Sequence, residues 1–226
     1  MTPAHHHLPG IVVGLKAEAR IAATKRYAFG DPAQVTALVE AGVPALVSFG
    51  LAGGLDPRLA SGTLVLAESV VLPDGSIVAT DSVWRERVRM KLAPTITTVV
   101  APVAGSDELV DDPSAKAELW TRTAAAAVDM ESHIAVQAAE RAGLALLVLR
   151  AIADPAAGAL PPAIRRGFAP GGRLHLFAVL GSAVRSPSQI PDLVRLARDA
   201  RTALATLGRA VEALGPQFGF DGGPAG

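Results

Sequence analysis

The stretch AAAVDMESHIAVQAAERAGLALLVLRAIAD, Ala125 to Asp154, decides the reading of the fold. Ala125–Asp129 has the length and apolar character of a short strand. Ser132 to Arg141 suits a helix that Gly143 ends, and Leu144–Ile152 is another strand, apolar from Leu144 to Leu149. A strand with no polar alternation is buried on both faces, so helices have to cover both sides of its sheet. The same alternation recurs outward from this stretch. Ile11–Leu15 opens the fold as a strand. Asp31-Pro32 reads as an N-cap and first helical residue, with Val35, Leu38 and Val39 on one face. Gly42 stops that helix, and Ala45–Phe49 is the next buried strand. Thr63–Val71 and Thr97–Val103 are rich in β-branched residues and read as strands. Ser114 reads as the cap of a short helix towards Arg122. Leu193, Leu196, Ala197, Ala200, Leu204, Leu207, Val211 and Leu214 recur at spacings of three and four, the mark of an amphipathic helix. The expectation is one α/β domain over residues 10–215, with flexible tails at 1–9 and 216–226.

Composition narrows the function. The chain has 226 residues, 50% hydrophobic and 19% charged, with a formal net charge of +0. Half the residues being apolar excludes a disordered chain. The absence of excess positive charge argues against bulk nucleic-acid binding. There is no cysteine, hence no disulfide, thiolate nucleophile or cysteine-bound zinc. No apolar run nears the ~18 residues of a membrane span, and no signal peptide is visible. A cytoplasmic protein is the expectation. His5, His6 and His7 read as a tail or cloning remnant rather than a metal site.

Three acidic residues stand where buried strands end, the usual place for a site in an α/β sheet. Glu18 follows Ile11–Leu15, Glu131 follows Val128-Asp129-Met130, and Asp154 follows Leu146–Ile152. A carboxyl at an apolar strand end is poorly solvated, which moves its pKa towards the range of proton transfer. On pattern alone an acidic helix cap is the commoner reading of each, and Asp154, with Pro155 behind it, reads as a turn or cap. The Gly-rich loop Gly50-Leu51-Ala52-Gly53-Gly54 allows backbone amides close to a ligand, or is simply a tight turn. It has neither the Lys-Ser/Thr of a P-loop nor dinucleotide spacing. Ser48 lies in no Gly-x-Ser-x-Gly motif, and His133 and His175 read as structural.

Taken in order, these motifs resemble the nucleoside phosphorylase/nucleosidase superfamily. The matching stretches are Ile11-Val12-Val13-Gly14-Leu15 with Glu18, Ser48 to Leu55, Val128-Asp129-Met130-Glu131-Ser132, and Arg150-Ala151-Ile152-Ala153-Asp154. Gly14 to Arg20 and the prolines Pro155, Pro161 and Pro162 look most like the hopanoid-associated branch. The resemblance implies a three-layer α/β/α sandwich around a central mixed, twisted sheet. It implies cleavage of a purine N-glycosidic bond, with release of adenine from adenosylhopane in hopanoid synthesis as the branch's reaction. Asp154 matches the acid near purine N7 and Glu18 the carboxylate that positions water. Glu131 matches the ribose-binding carboxylate and Met130 the apolar residue under the sugar. Leu109 and Val110 match the segment along the purine edge, and Gly50, Leu51, Ala52 and Gly53 the Gly-rich stretch at the substrate.

No metal or cofactor is implied. The expected partners are a purine nucleoside with a large apolar 5′ group and other copies of the chain. A peripheral contact at the inner membrane surface would supply such a lipid. Phosphate as co-substrate stays open. Phosphorylases of this superfamily present an Arg and a hydroxyl where this chain has Ser48 and Leu51, which favours hydrolysis. Lys16, Arg20 or an Arg of a neighbouring subunit could supply the missing cation. A non-catalytic nucleoside-binding protein is the remaining alternative.

Overall fold

The computed structural model describes residues 8–160 and 190–222, and between them the backbone of Phe168–Ala169 and Arg173–Leu174. In chain order the elements are β1 (Gly10–Val13), α1 (Lys16–Ala22), β2 (Tyr27–Phe29), α2 (Pro32–Glu40), β3 (Ala45–Gly54), β4 (Leu64–Val71), β5 (Ile77–Ala79) and α3 (Ser82–Leu92). Then follow β6 (Thr98–Gly105), α4 (Pro113–Thr123), β7 (Ala127–Asp129), α5 (Ser132–Ala142), β8 (Ala145–Asp154), the short pair β9 (Phe168–Ala169) and β10 (Arg173–Leu174), and α6 (Ile190–Leu214). Residues 1–7, 161–167 and 175–189, which hold the His5–His7 run, Pro161, Pro162 and His175, lie outside the described residues.

The expected mixed sheet is present, with eight strands. β1 is parallel to β2 and β3, and β3 is parallel to β8 from the Ala45–Ala145 pair to Gly53–Asp154. β4 is antiparallel to β8 and β5 but parallel to β6. β6 is parallel to β7, which returns antiparallel to the far end of β3. Strands β3, β8, β4, β6 and β7 thereby close into a ring.

The two faces of the sheet explain the unbroken apolar runs. Ile11, Val13, Val47, Phe49, Leu147 and Leu149 point to one side, where α1, α3 and α6 cover them with Ala19, Trp84, Val88, Ala203, Leu207 and Leu214. Val12, Leu46, Leu146 and Val148 point to the other, under Val35 and Leu38 of α2 and Ala135, Val136 and Ala139 of α5. Each such Leu or Val taken fully out of water contributes about 1.5–3 kcal/mol. This layered core is what holds the carboxylate-bearing strand ends in place.

Several local expectations change. The Gly50–Gly54 stretch is not a loop: it continues β3, because β8 pairs along it and β7 takes Gly53 and Gly54 at the end. Asp112, not Ser114, caps α4, its carboxylate accepting from the Ser114 amide and hydroxyl. Within residues 216–222, expected as part of a flexible tail, residues 218–220 are buried while 216, 217, 221 and 222 are exposed. Gly215 ends α6 at φ +71°, and Phe218 and Phe220 are buried behind it. Phe218 meets Phe49 edge-on at 5.4 Å, and its carbonyl accepts from Trp84 Nε1 at 2.8 Å. At the other end Pro9 is already buried. Helices α1 and α3 and strands β2 and β5 had no counterpart in the sequence reading.

Candidate active site

Glu18, Glu131 and Asp154 line one cavity of about 240 Å³. Parallel pairing sets the C-terminal ends of β1, β3 and β8 side by side, and the α1, α5 and β8 termini carry the three carboxyls there. Met130, Leu51, Ala52, Gly53, Leu109 and Val110 also line the cavity, together with Leu160 and with Leu196 and Ala200 of α6. Gly50 does not line it. A β-carbon there would fall 2.6 Å from Glu18 Oε1 and 2.8 Å from Arg150 Nη1, so the glycine lets those groups approach the strand.

Glu18 is held from three sides. Its Oε2 accepts from the Gly14 and Leu15 amides and its Oε1 from the Leu51 amide, each at 2.8 Å. The Leu15 bond is half of a capping box, a first-turn Glu reaching back to the residue before the helix. Burial raises the Glu18 pKa, and the Arg150 charge and three amides only partly oppose it.

Glu131 precedes α5 and packs its side chain between Gly14 and Gly30, where a β-carbon on either would stand 2.5 Å or less from it. Its Oε2 accepts from Arg150 Nη1 at 3.1 Å. Burial pushes its pKa up to about 8, with Asp129 and Glu18 adding to the rise and Arg150 opposing it. Asp129 accepts from the Glu131 amide at 2.8 Å and from the Ser132 amide and hydroxyl at 2.6 Å, which orients the start of α5.

Arg150 is the hub of this cluster and has no exposed surface. Nε lies 3.1 Å from Asp129 Oδ2, and Nη2 donates to Ser48 Oγ at 2.6 Å. Burial works against its charge, but Asp129, Glu131 and Glu18 outweigh that and raise its pKa. A cation shared by three carboxyls is not free to bind a further anion. Ser48 therefore lies beneath the cavity as a partner of Arg150 rather than facing a substrate.

Asp154 ends β8, and its Oδ2 accepts from Lys116 Nζ of α4. Burial raises the Asp154 pKa, and the Lys116 ammonium opposes the rise. Lys16 and Arg20 are exposed on α1 and line a separate groove with Lys25 and Tyr27. Among the described residues, no Lys or Arg lines the cavity. His133 is buried with Nε2 3.1 Å from Asp107 Oδ1, beside a small recess that shares Gly14, Met130 and Glu131 with the cavity.

Sequence reasoning did not single out Lys116 and quoted Arg150 and Asp129 only within motifs, without a role, although signals existed. Arg150 interrupts the apolar run Leu144–Ile152. Lys116 stands three and four residues before Leu119 and Trp120, on the face of α4 that packs against Leu55 and Val128. A lone charge at an apolar position is a place to look for a buried partner.

The family model described as the phosphorylase superfamily matches residues 31–168. That span holds Glu131 and Asp154, while Glu18 precedes it. No curated protein matches the chain by sequence. Among solved structures, the fold is similar to a putative 5′-methylthioadenosine/S-adenosylhomocysteine nucleosidase from Francisella philomiragia, with TM-score 0.69, 17% identity, and coverage of 92% of this chain and 98% of that one. The Neisseria meningitidis 5′-methylthioadenosine/S-adenosylhomocysteine nucleosidase, solved with methylthio-immucillin-A, has TM-score 0.68, 14% identity and the same coverage. The futalosine hydrolase of Helicobacter pylori has TM-score 0.65 and 16% identity over 92% of this chain and 99% of that one.

Proposed function

Because the chain belongs to the phosphorylase superfamily, we propose that it cleaves the N-glycosidic bond of a purine nucleoside with water as the attacking group. The observation that carries this reading is one apolar cavity lined by Glu18, Glu131 and Asp154 and, among the described residues, by no cation. Breaking the bond builds positive charge at C1′ and negative charge on the departing purine. Asp154 is the acid that neutralises the purine at N7, a role suited to a carboxyl whose pKa burial raises. Glu18, fixed by three amides, orients water and takes its proton. Glu131 binds the ribose hydroxyls, and Met130 packs under the sugar. Leu109 and Val110 border the base.

Among the described residues, a phosphate dianion entering this cavity would meet carboxyls and no lining cation, whereas a neutral water is polarised by the same groups. The nucleosidase and hydrolase names of the structural neighbours agree with that preference. Within this reading the substrate is an adenine nucleoside with a large apolar 5′ group, and adenosylhopane is the candidate that the sequence motifs favour. The apolar wall formed by Leu109, Leu160 and Leu196 is compatible with such a group. Such a substrate would bring the enzyme to a membrane surface, and a homo-oligomer is the expected assembly.

The test is to incubate the protein with adenosylhopane, adenosine and 5′-substituted adenosines, with and without phosphate. Free adenine and a sugar with a free hydroxyl at C1′, at a rate unaffected by phosphate, is the expected result. A ribose 1-phosphate product that scales with phosphate would overturn the choice of water. Failure to cleave any of these nucleosides would overturn the activity.

A further inference from the structure

Lys116 is a lysine wholly withdrawn from water. Besides Asp154 Oδ2, its Nζ donates to the Pro155 carbonyl at 3.1 Å and the Gly158 carbonyl at 2.9 Å. Three ammonium protons thus meet three oxygens, as a buried cation requires. Ion pairs of this kind seldom stabilise a fold more than apolar residues of the same shape. Their effect here falls on Asp154, which faces the cavity on one side and Lys116 on the other. The other charged groups that act on Asp154 are Arg195 and Asp199 of α6, whose influences oppose one another.

An acid for purine departure has to hold a proton when the bond breaks, yet an adjacent ammonium favours the carboxylate. We propose that Lys116 is a positioning residue that both aims Asp154 and stores its proton. This inference rests on the role of Asp154 given above. As the C1′–N9 bond breaks, its electron pair passes to the purine. Asp154 gives a proton to N7 and takes one from the Lys116 ammonium, so the purine leaves neutral, Asp154 stays a carboxylate and Lys116 becomes a neutral amine. Water bonds to C1′ and gives its proton to Glu18. After the products leave, Glu18 loses that proton to solvent and Lys116 regains one, which closes the balance. The bonds to Pro155 and Gly158 tie the segment after β8 to the same nitrogen and keep the Asp154 carboxyl turned to the cavity.

The experiment compares kcat/KM of wild type and Lys116→Met between pH 6 and 9, on the adenine nucleoside that the wild type cleaves fastest. A lone buried carboxyl loses its proton as pH rises, whereas the pair keeps one, so the variant-to-wild-type ratio should fall at least tenfold across this range. Titrations of Glu18 and Glu131 are common to both proteins and cancel in the ratio. Lys116→Arg, which keeps a cation, should hold its ratio within threefold. A Lys116→Met ratio that is low but constant with pH would overturn the proposal, since a merely structural loss has no such dependence. If Lys116→Met does not fold, the Asp154 carboxyl carbon of the wild type can be followed by carbon-13 NMR. It should remain a carboxylate from pH 6.5 to 8.5, and a carboxyl that titrates there overturns the proposal. Unchanged purine release by Asp154→Asn would instead remove the acid role on which the step rests, a result distinct from failure of the Lys116 step.

Discussion

Replacing Glu131 by glutamine keeps the shape of the side chain and removes its titration. The folded protein holds this carboxyl at about 8, against roughly 4.3 in an unfolded chain. Between those values the folded state binds a proton that the unfolded state releases, so stability falls as pH rises through the window. At ~1.4 kcal/mol for each pH unit, the full difference amounts to about 5 kcal/mol. The side chain is 13% exposed to the cavity, and water there screens part of the effect, leaving about 2–3 kcal/mol. Glu131→Gln should therefore match the wild type near pH 4.5 and exceed it by that amount near pH 8.5. In thermal unfolding this is a gap of roughly 5–10 °C that opens with pH, at ~2–4 °C per kcal/mol for a chain of this size. Urea titrations at four or five pH values give the same quantity as a free energy. Parallel stability profiles for the two proteins would refute the reasoning, because they would mean that Glu131 titrates alike in both states.

Ligand binding gives the functional counterpart: Glu131→Gln should weaken ribosides far more than free adenine in a calorimetric titration, and equal weakening would make the residue structural. Asp154→Asn should keep the circular dichroism of the fold but lose about 10²–10⁴-fold in purine release, the usual contribution of a positioned acid. Gly50→Ala places a methyl 2.6 Å from Glu18 Oε1, so the urea midpoint should drop by the equivalent of about 1–3 kcal/mol and turnover should fall as Glu18 is displaced. Phe218→Ala should cost about 3–5 kcal/mol in the same assay, and a value near zero would mean that the segment after α6 is not docked.

The order of strands and helices was legible because its signals are local. Continuous apolar runs such as Ile11–Leu15 and Leu144–Leu149, and stops such as Gly143 at φ +63°, need only their neighbours in the chain to be read. The same holds for Asp31, whose side chain caps α2 through the Gln34 amide three residues on. Short elements were not legible. α1 has seven residues and β2 three, too few for a period to register, and both exist because the β1–β3 edge gives them a surface. Gly50–Gly54 was read as a loop because glycine weakens a strand locally, while partners on both sides make it one.

The sequence by itself determined that helices lie on both faces of a sheet and that three carboxyls stand at strand ends, because strand burial and strand-end position follow from patterns of adjacent residues. Only the tertiary structure decided which of those carboxyls share a cation and which residue does not reach the site. Asp154 and Lys116 are 38 positions apart, Arg150 and Ser48 are 102, and Glu18 and Leu51 are 33. Lys16 and Arg20, close to Glu18 in the chain, face away from it. Phe218 and Phe220 leave the expected tail for the core. The physical reason is desolvation. A charge is shifted, paired or silent according to what removes water from it, and at this site the groups that do so are brought together by strand pairing between distant segments.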